Sequence, residues 1–364
     1  MLTRNVLFSV NAAAVAWLLS FICAPDSMAE VTTPCRSLNH VVFMTVDGVR
    51  WKDFFDPKNT PKIHALANQF VMFGNRDENS HFKVSNPINK SLPGYQTLFL
   101  GFDEGAKNNQ WPRPQAPTFI DELASQWQKC PDFDKDSVAA FSSWQVLENA
   151  LTHFKPANTS SGPNQGNLPF VLSAGAQPWT DLKHPDDGAY FSKIIRSDLP
   201  KWKLSKKDKY TWSMSLHHYL MHPSQFLYIS TGDTDEWGHQ NDFKKYLSAL
   251  KDSDDRVDEM MQEIAKSPYA TSTTFVLTTD HGRGNKGDFK NHGPDIKHSD
   301  EAFLIVSTPE IRKQASANKP PLAISGEFEH RQLRPIFEYL LEIQSLGASH
   351  DSHLLDTLRG AHLL

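Results

Sequence analysis

Seven side chains in four separated segments are of the types that can hold two metal ions around a nucleophile. They are Asp47 in Thr45-Val46-Asp47-Gly48, Ser91 in Asn89-Lys90-Ser91-Leu92-Pro93-Gly94-Tyr95, Asp235 and His239 in Asp235-Glu236-Trp237-Gly238-His239, and Asp280 and His281 in Asp280-His281-Gly282, with His292 in a trailing Asn291-His292-Gly293. Carboxylate and imidazole ligands without cysteine suit Zn²⁺, with Mn²⁺ as the alternative, because neither ligand type is selective. Two such cations about 4 Å apart clamp the attacking and leaving oxygens of an in-line displacement at phosphorus. A serine hydroxyl bound to one of them becomes an alkoxide nucleophile near neutral pH without a separate general base.

Each residue also has a plainer reading. An Asp after a buried strand is commonly a turn or cap residue, Ser91 is a favoured helix cap, and Asp235 with His239 can be an Asx turn beside a surface imidazole. The order and completeness of the set weigh against those readings. The apolar runs that precede Asp47, Asp235 and Asp280 read as strands, and strand ends are where α/β sheets carry their chemistry.

In order and spacing these segments resemble the alkaline phosphatase superfamily, over roughly Asn39 to Leu346. The resemblance implies one metal held by Asp47, Ser91, Asp280 and His281, and a second held by Asp235, His239 and His292, with Ser91 passing through a phosphoseryl intermediate. It also implies a three-layer α/β/α sandwich with a mostly parallel central sheet. Sulfatase chemistry ranks lower, because Ser91-Leu92-Pro93-Gly94 runs into Tyr95 where conversion of the nucleophile to formylglycine needs Arg. The chain is too short for the second domain of the phosphoglycerate mutases, and it lacks the membrane spans and Thr nucleophile of the phosphoethanolamine transferases. The expectation is a phosphatase or phosphodiesterase acting on a small-molecule phosphoester. A phosphoryl transferase or mutase-like enzyme, or a non-catalytic metal-binding relative, remains the alternative.

Candidate substrate contacts are Lys90 beside the nucleophile, Arg283 after the Asp-His-Gly turn, and Asn108 or Asn109, which lie where the phosphodiesterase branch places a phosphoryl-binding Asn. Arg50 and Arg113 are further cationic candidates. Trp111 and Trp237 suit stacking or packing. Arg283 has the alternative of pairing with an acidic neighbour.

The elements that must position these residues follow the α/β alternation. Strands are expected at Val41–Val46, 69–73, 137–141, Phe226–Ser230, Thr274–Thr278 and Phe303–Ser307. Helices are expected after Ser91 and over 61–67, 118–128, 144–151, 242–264 and 332–341, with Pro93 tolerated in a first turn. Backbone N–H groups at the start of the Ser91 helix can help to cradle a phosphoryl oxygen. Phe243, Tyr246, Leu247, Leu250, Val257, Met260, Met261 and Ile264 recur at helical spacing. The stretch 155–182 is rich in Pro, Gly, Asn and Ser and reads as loop, followed by two helices over 186–220. Residues 151–222 are therefore expected to form a modest variable insertion in a single catalytic domain, 30–364.

A chain of 364 residues with 39% hydrophobic content and a formal net charge of −5 can bury one large core and has no basic tract for a nucleic-acid polymer. Arg4, the apolar run Ala12–Cys23 and Ser27-Met28-Ala29 read as a signal peptide over 1–29, implying export to the periplasm or medium. The apolar run is short for a membrane span, an uncleaved anchor being the alternative. Of the three cysteines, Cys35 and Cys130 fall before the first strand and before the 137–141 strand, on the sheet edge opposite the metal site. An exported compartment permits a disulfide between them. The sequence does not fix the oligomeric state.

Overall fold

The computed structural model describes residues 35–154, 157–159, 162–164, 168–175, 185–202, 204–222, 224–317, 324–345 and 350–364. The expected signal peptide lies outside the described residues, as does much of 155–184.

Three hydrophobic strands build the centre of the sheet. His40–Val46, Phe226–Thr231 and Thr273–Thr278 are buried at every position, with none of the alternation of a half-exposed strand. Strands of that kind need cover on both faces. The seven-stranded sheet runs in the order Val71–Phe73, Leu304–Ser307, Thr273–Thr278, His40–Val46, Phe226–Thr231, Val138–Ser142, Val171–Ala174. Leu304–Ser307 runs antiparallel to both of its neighbours, and the other pairings are parallel.

Successive residues of the central strand feed two separate cores. Val41 and Phe43 pack with Leu92, Tyr95 and Phe99 of the helix Ser91–Leu100 and with residues of Phe119–Trp127 and Leu333–Leu340. Val42, Met44 and Val46 pack with Val257, Met260 and Ile264 of Phe243–Lys266 and with Trp212 and Met214 of Asp208–Met221. Helices therefore cover both faces, giving the expected three-layer α/β/α sandwich. A small second sheet sets Ser80–Lys83 between Glu301–Ala302 and Gly326–Glu329.

Two sequence expectations are corrected. Val171–Ala174, inside the stretch read as loop, is a fully buried edge strand pairing with Val138–Ser142. Its four residues are too few to show a periodicity against flanks rich in turn formers. Leu304–Ser307 does not close the sheet, because Val71–Phe73 pairs outside it. The helix His353–Gly360, which buries Leu354 and Leu358, was not anticipated. Cys35 and Cys130 are each disulfide-bonded. No helix among the described residues is long and apolar enough to cross a membrane.

Candidate metal centre

The parallel strands deliver the acidic groups to one edge of the sheet. Asp47 follows His40–Val46, and its backbone N–H donates to Thr231 O of the neighbouring strand at 3.0 Å. Gly48, at φ +65°, then turns the chain, and a Cβ there would lie 2.4 Å from Asp235 Oδ1. Only glycine fits both the left-handed backbone and that approach. Asp280 and His281 follow Thr273–Thr278, which pairs with the other side of His40–Val46, and Gly48 N–H donates to Asp280 Oδ1 at 2.9 Å. Asp235 lies within the short helix Asp233–His239, one turn ahead of His239.

Ser91 is the first residue of a buried ten-residue helix that ends in a left-handed Gly101. Its Oγ lies 3.2 Å from His281 Nε2 and 3.5 Å from Asp47 Oδ1. His281 Nε2 is in turn 3.5 Å from Asp47 Oδ1 and 3.4 Å from Asp280 Oδ2. On the other side, His239 Nε2 lies 3.0 Å from Asp235 Oδ2 and 3.2 Å from His292 Nε2. The His281 and His292 rings stack at 3.8 Å, which joins the two groups into one centre.

These residues fit divalent cations. The Nδ1 atoms of His239, His281 and His292 lie 3.0, 2.8 and 3.0 Å from the carbonyls of Lys290, Gly282 and Asn89. A carbonyl only accepts, so each ring carries its proton on Nδ1 and presents a bare Nε2 lone pair inward, the arrangement of a metal-ligating histidine. Asp280 Oδ2 is buried with no hydrogen-bond partner among the described residues. Two sets of ligand atoms lie within 4.8 Å of one another, Asp235 with His239 and His292, and Asp47 with Asp235 and His281. Asp235 thus stands between the two groups.

The model of a family described as Metalloenzyme superfamily matches residues 197–324, about a third of the chain and the part that holds Asp235, His239, Asp280, His281 and His292. The fold is similar to that of the phosphonate monoester hydrolase of Silicibacter pomeroyi, with a TM-score of 0.56 and 12% identity over 84% of this chain and 74% of that one. It is also similar to the lipoteichoic acid synthase LtaP of Listeria monocytogenes, with a TM-score of 0.53 and 10% identity over 86% and 74%. The resemblance to the alkaline phosphatase superfamily is borne out. A 2-O GAG sulfatase gives a TM-score of 0.52 at 12% identity over 88% of this chain and 74% of its own. Identities this low speak for the superfamily fold and leave the reaction open. No curated protein matches this chain by sequence.

Electrostatics around the centre follow from burial. Burial, reinforced by the charges of Asp280 and Asp235, raises Asp47 well above the usual carboxylate range. Burial pushes Asp280 up to about 7. The same desolvation lowers His281 to about 4 and His292 to about 3, the latter with help from His281. Asp235 goes the other way: burial alone would raise it, but Arg283 and His239 hold it well below the usual range. Three crowded carboxylates with one guanidinium among them form a cation-seeking site.

The candidate substrate contacts separate clearly. Arg283 is fully buried and donates to Gly48 O at 2.8 Å and Phe289 O at 2.9 Å while pairing with Asp235. Its donors are spent inside the protein, so it positions Asp235, and the substrate-binding expectation is corrected. Asn108 accepts from Gln110 N–H at 2.9 Å in a local turn. Asn109 accepts from Leu92 N–H at 3.1 Å and lines a cleft of about 160 Å³ together with Asp47, Ser91, Asp235 and His239. Lys90 is the N-cap residue of the Ser91 helix and is not among the residues lining that cleft. Arg113 is tied to Glu148, and Arg50 to Asp53. Trp111 packs on the core, and Trp237 packs edge-on to Trp202, which lines the cleft.

Tyr95 was missed by the sequence reading. Its hydroxyl donates to Asp47 Oδ2 at 3.3 Å, one helical turn beyond Ser91. The i, i+4 spacing from Ser91 within one motif was the available signal.

Proposed function

We propose that this chain is an exported, metal-dependent hydrolase of phosphoric esters, with Ser91 as nucleophile. The observation that carries the reading is the position of Ser91 Oγ, 3.2 Å from His281 Nε2 and 3.5 Å from Asp47 Oδ1, at the start of a buried helix and open to the cleft. Asp47, Ser91, Asp280 and His281 would hold one divalent cation, and Asp235, His239 and His292 the other, Zn²⁺ being favoured over Mn²⁺ by the mixed N/O donors. Such a pair, when bound, lowers the pKa of the serine hydroxyl and neutralises charge on the attacking and leaving oxygens.

The chain's own groups supply position. His281 directs its Nδ1–H at Gly282 O, which turns its Nε2 lone pair toward Ser91 Oγ and the position that a cation shared with Ser91 would take. Asn109 uses Oδ1 on Leu92 N–H, which leaves its amide N–H groups as donors toward a non-bridging oxygen. Tyr95 holds Asp47 from beneath. A Ser91 Oγ–phosphorus bond forms as the bond to the leaving oxygen breaks, and water then cleaves the phosphoseryl ester. Residues 1–29 act as the signal peptide and 30–364 as the catalytic domain in this reading. The disulfide-bonded state of Cys35 and Cys130 supports an oxidising compartment.

The test is metal content together with hydrolysis of p-nitrophenyl phosphate and bis-p-nitrophenyl phosphate by wild type, Ser91→Ala and Asp280→Ala. About two metals per wild-type chain, with turnover lost in both variants, is the expected result, and the preferred ester distinguishes phosphatase from phosphodiesterase. Phosphoryl transfer to an added alcohol in place of water would make it a transferase. A chain that binds no metal would defeat the reading.

A further inference from the structure

A second cavity, of about 260 Å³, opens beside the Gly48 turn and shares no lining residue with the Ser91 cleft. Its wall carries four cationic side chains, Arg50, Lys52, Arg76 and Arg283, against a single carboxylate, Glu301. Three of the cations have anionic partners. Asp53 grips Arg50 through Nε at 2.5 Å and Nη2 at 2.9 Å, Asp235 pairs with Arg283, and Glu301 lies 3.2 Å from Arg76. Glu301 also accepts from Trp51 Nε1 at 2.8 Å and from His298 Nδ1 at 2.9 Å.

Lys52 stands apart. Its ammonium donates to the neutral Asn285 Oδ1, the same oxygen that Arg50 Nη1 approaches at 3.3 Å, and among the described residues no carboxylate forms an ion pair with it. Two cationic groups therefore converge on one uncharged amide oxygen. Lys52 is exposed, and partial burial followed by the Arg50 charge lowers its pKa, with the charges of Asp53 and Glu301 opposing. Arg76 spends one nitrogen on Glu301, which leaves further donors of its planar fork for a second oxygen ligand. A water takes about 30 Å³ of liquid volume, so the cavity has room for a small anion that keeps part of its hydration.

We propose that this cavity binds a small tetrahedral oxyanion, phosphate or sulfate, between Lys52 and Arg76, at a site separate from the metal centre. Charge-assisted hydrogen bonds from an ammonium and a guanidinium are what such an anion requires. The proposal does not depend on the proposed reaction, because its residues take no part in metal ligation.

Isothermal titration calorimetry with inorganic phosphate, and separately with sulfate, tests it on the full chain after EDTA treatment, when the carboxylate-rich metal centre repels anions. The expected result is one site for either anion in the metal-free protein. Lys52→Gln and Arg76→Gln should each weaken it at least tenfold with unchanged circular dichroism and melting temperature, and Asn109→Ala in the cleft should leave it unchanged. Absence of binding to the metal-free protein, or weakening of less than tenfold by both Lys52→Gln and Arg76→Gln, overturns the proposal. Failure of the metal-centre reading leaves this experiment unaffected, because it is read without metal.

Discussion

The Nε2 atoms of His239 and His292 face one another at 3.2 Å, and each ring is held there by an Nδ1 hydrogen bond to a backbone carbonyl, Lys290 O and Asn89 O. Two lone pairs at that distance repel unless a proton or a cation lies between them. Asp235 Oδ2, 3.0 Å from His239 Nε2, supplies the third ligand atom. A divalent cation satisfies all three donors at once.

Metal should therefore stabilise the fold measurably. Binding to the native state alone adds about 2.7 kcal/mol at a free metal concentration of a hundred times Kd. Melting temperature in the presence and absence of Zn²⁺ or Mn²⁺ should show a rise that EDTA reverses. His292→Ala should remove part of that rise and about one bound metal per chain.

Ser91→Ala removes the nucleophile and leaves the Asp and His ligands in place. We expect turnover of an aryl phosphate to fall by about three orders of magnitude or more, the scale on which loss of an activated nucleophile is felt. Metal analysis should still find both ions. A variant that retained more than a tenth of wild-type kcat would place the nucleophile elsewhere.

Much of this centre was legible in the sequence because its ligands sit beside their own strand ends. Asp47 and Asp280 each end a strand that pattern alone identifies, and His281 comes with its neighbour. What was not legible depends on distance in sequence. Arg283 reads from sequence as a substrate contact or as the partner of some acidic neighbour, and only the fold shows that Asp235, forty-eight positions earlier, claims it. Asn108 and Asn109 are equivalent by spacing, and only the turn geometry hands one to Gln110 and the other to Leu92. Val171–Ala174 was hidden because a four-residue edge strand needs only one partner and its flanks are full of turn formers.

The Arg283–Asp235 pair gives a sharp stability test. Arg283→Ala leaves Asp235 without its guanidinium partner and opens a cavity, and breaking a buried pair typically costs about 3–5 kcal/mol. Gly238→Ala reaches the same pair from the other side, since a Cβ there would lie 1.9 Å from Arg283 Nη1. Urea unfolding should show both variants destabilised, and metal titration should show both with weaker metal binding. Normal stability in Gly238→Ala would mean that Arg283 has room to move aside.

Peptide mapping under reducing and non-reducing conditions should recover a Cys35–Cys130 pair from protein exported to an oxidising compartment. Closing a loop of roughly a hundred residues is worth about 4.7 kcal/mol in the chain-entropy account. Cys130→Ser should therefore lower the denaturation midpoint while leaving the ligand geometry at the opposite end of the sheet intact. Metal content is the control that separates the two effects.

The contribution of the buried Asp280 carboxyl to the stability of the metal-free chain should fall with rising pH across the range in which metal binding gains. Asp280 has its folded pKa raised by burial to about 7 from the usual 3.8. Below 3.8 the carboxyl is neutral in both states, and the native fold keeps its full stability. Between 3.8 and about 7 the unfolded chain has released the proton and the folded chain still holds it, so each pH unit removes about 1.4 kcal/mol for one such group. Asp47, also raised, acts in the same direction. Metal ions compete with those protons, so loading becomes more favourable as pH rises. His281 and His292, lowered in the fold to about 4 and about 3, act in the opposite direction below 6.5, so urea titrations at pH 4, 5.5 and 7 read the Asp280 contribution as the difference between EDTA-treated wild type and Asp280→Asn, with a metal-dependent gain that widens over the same interval. Asp280→Asn, which abolishes the titration, should gain in midpoint relative to wild type as pH rises from 4 to 7, and a constant difference between the two would assign the pH dependence to other groups.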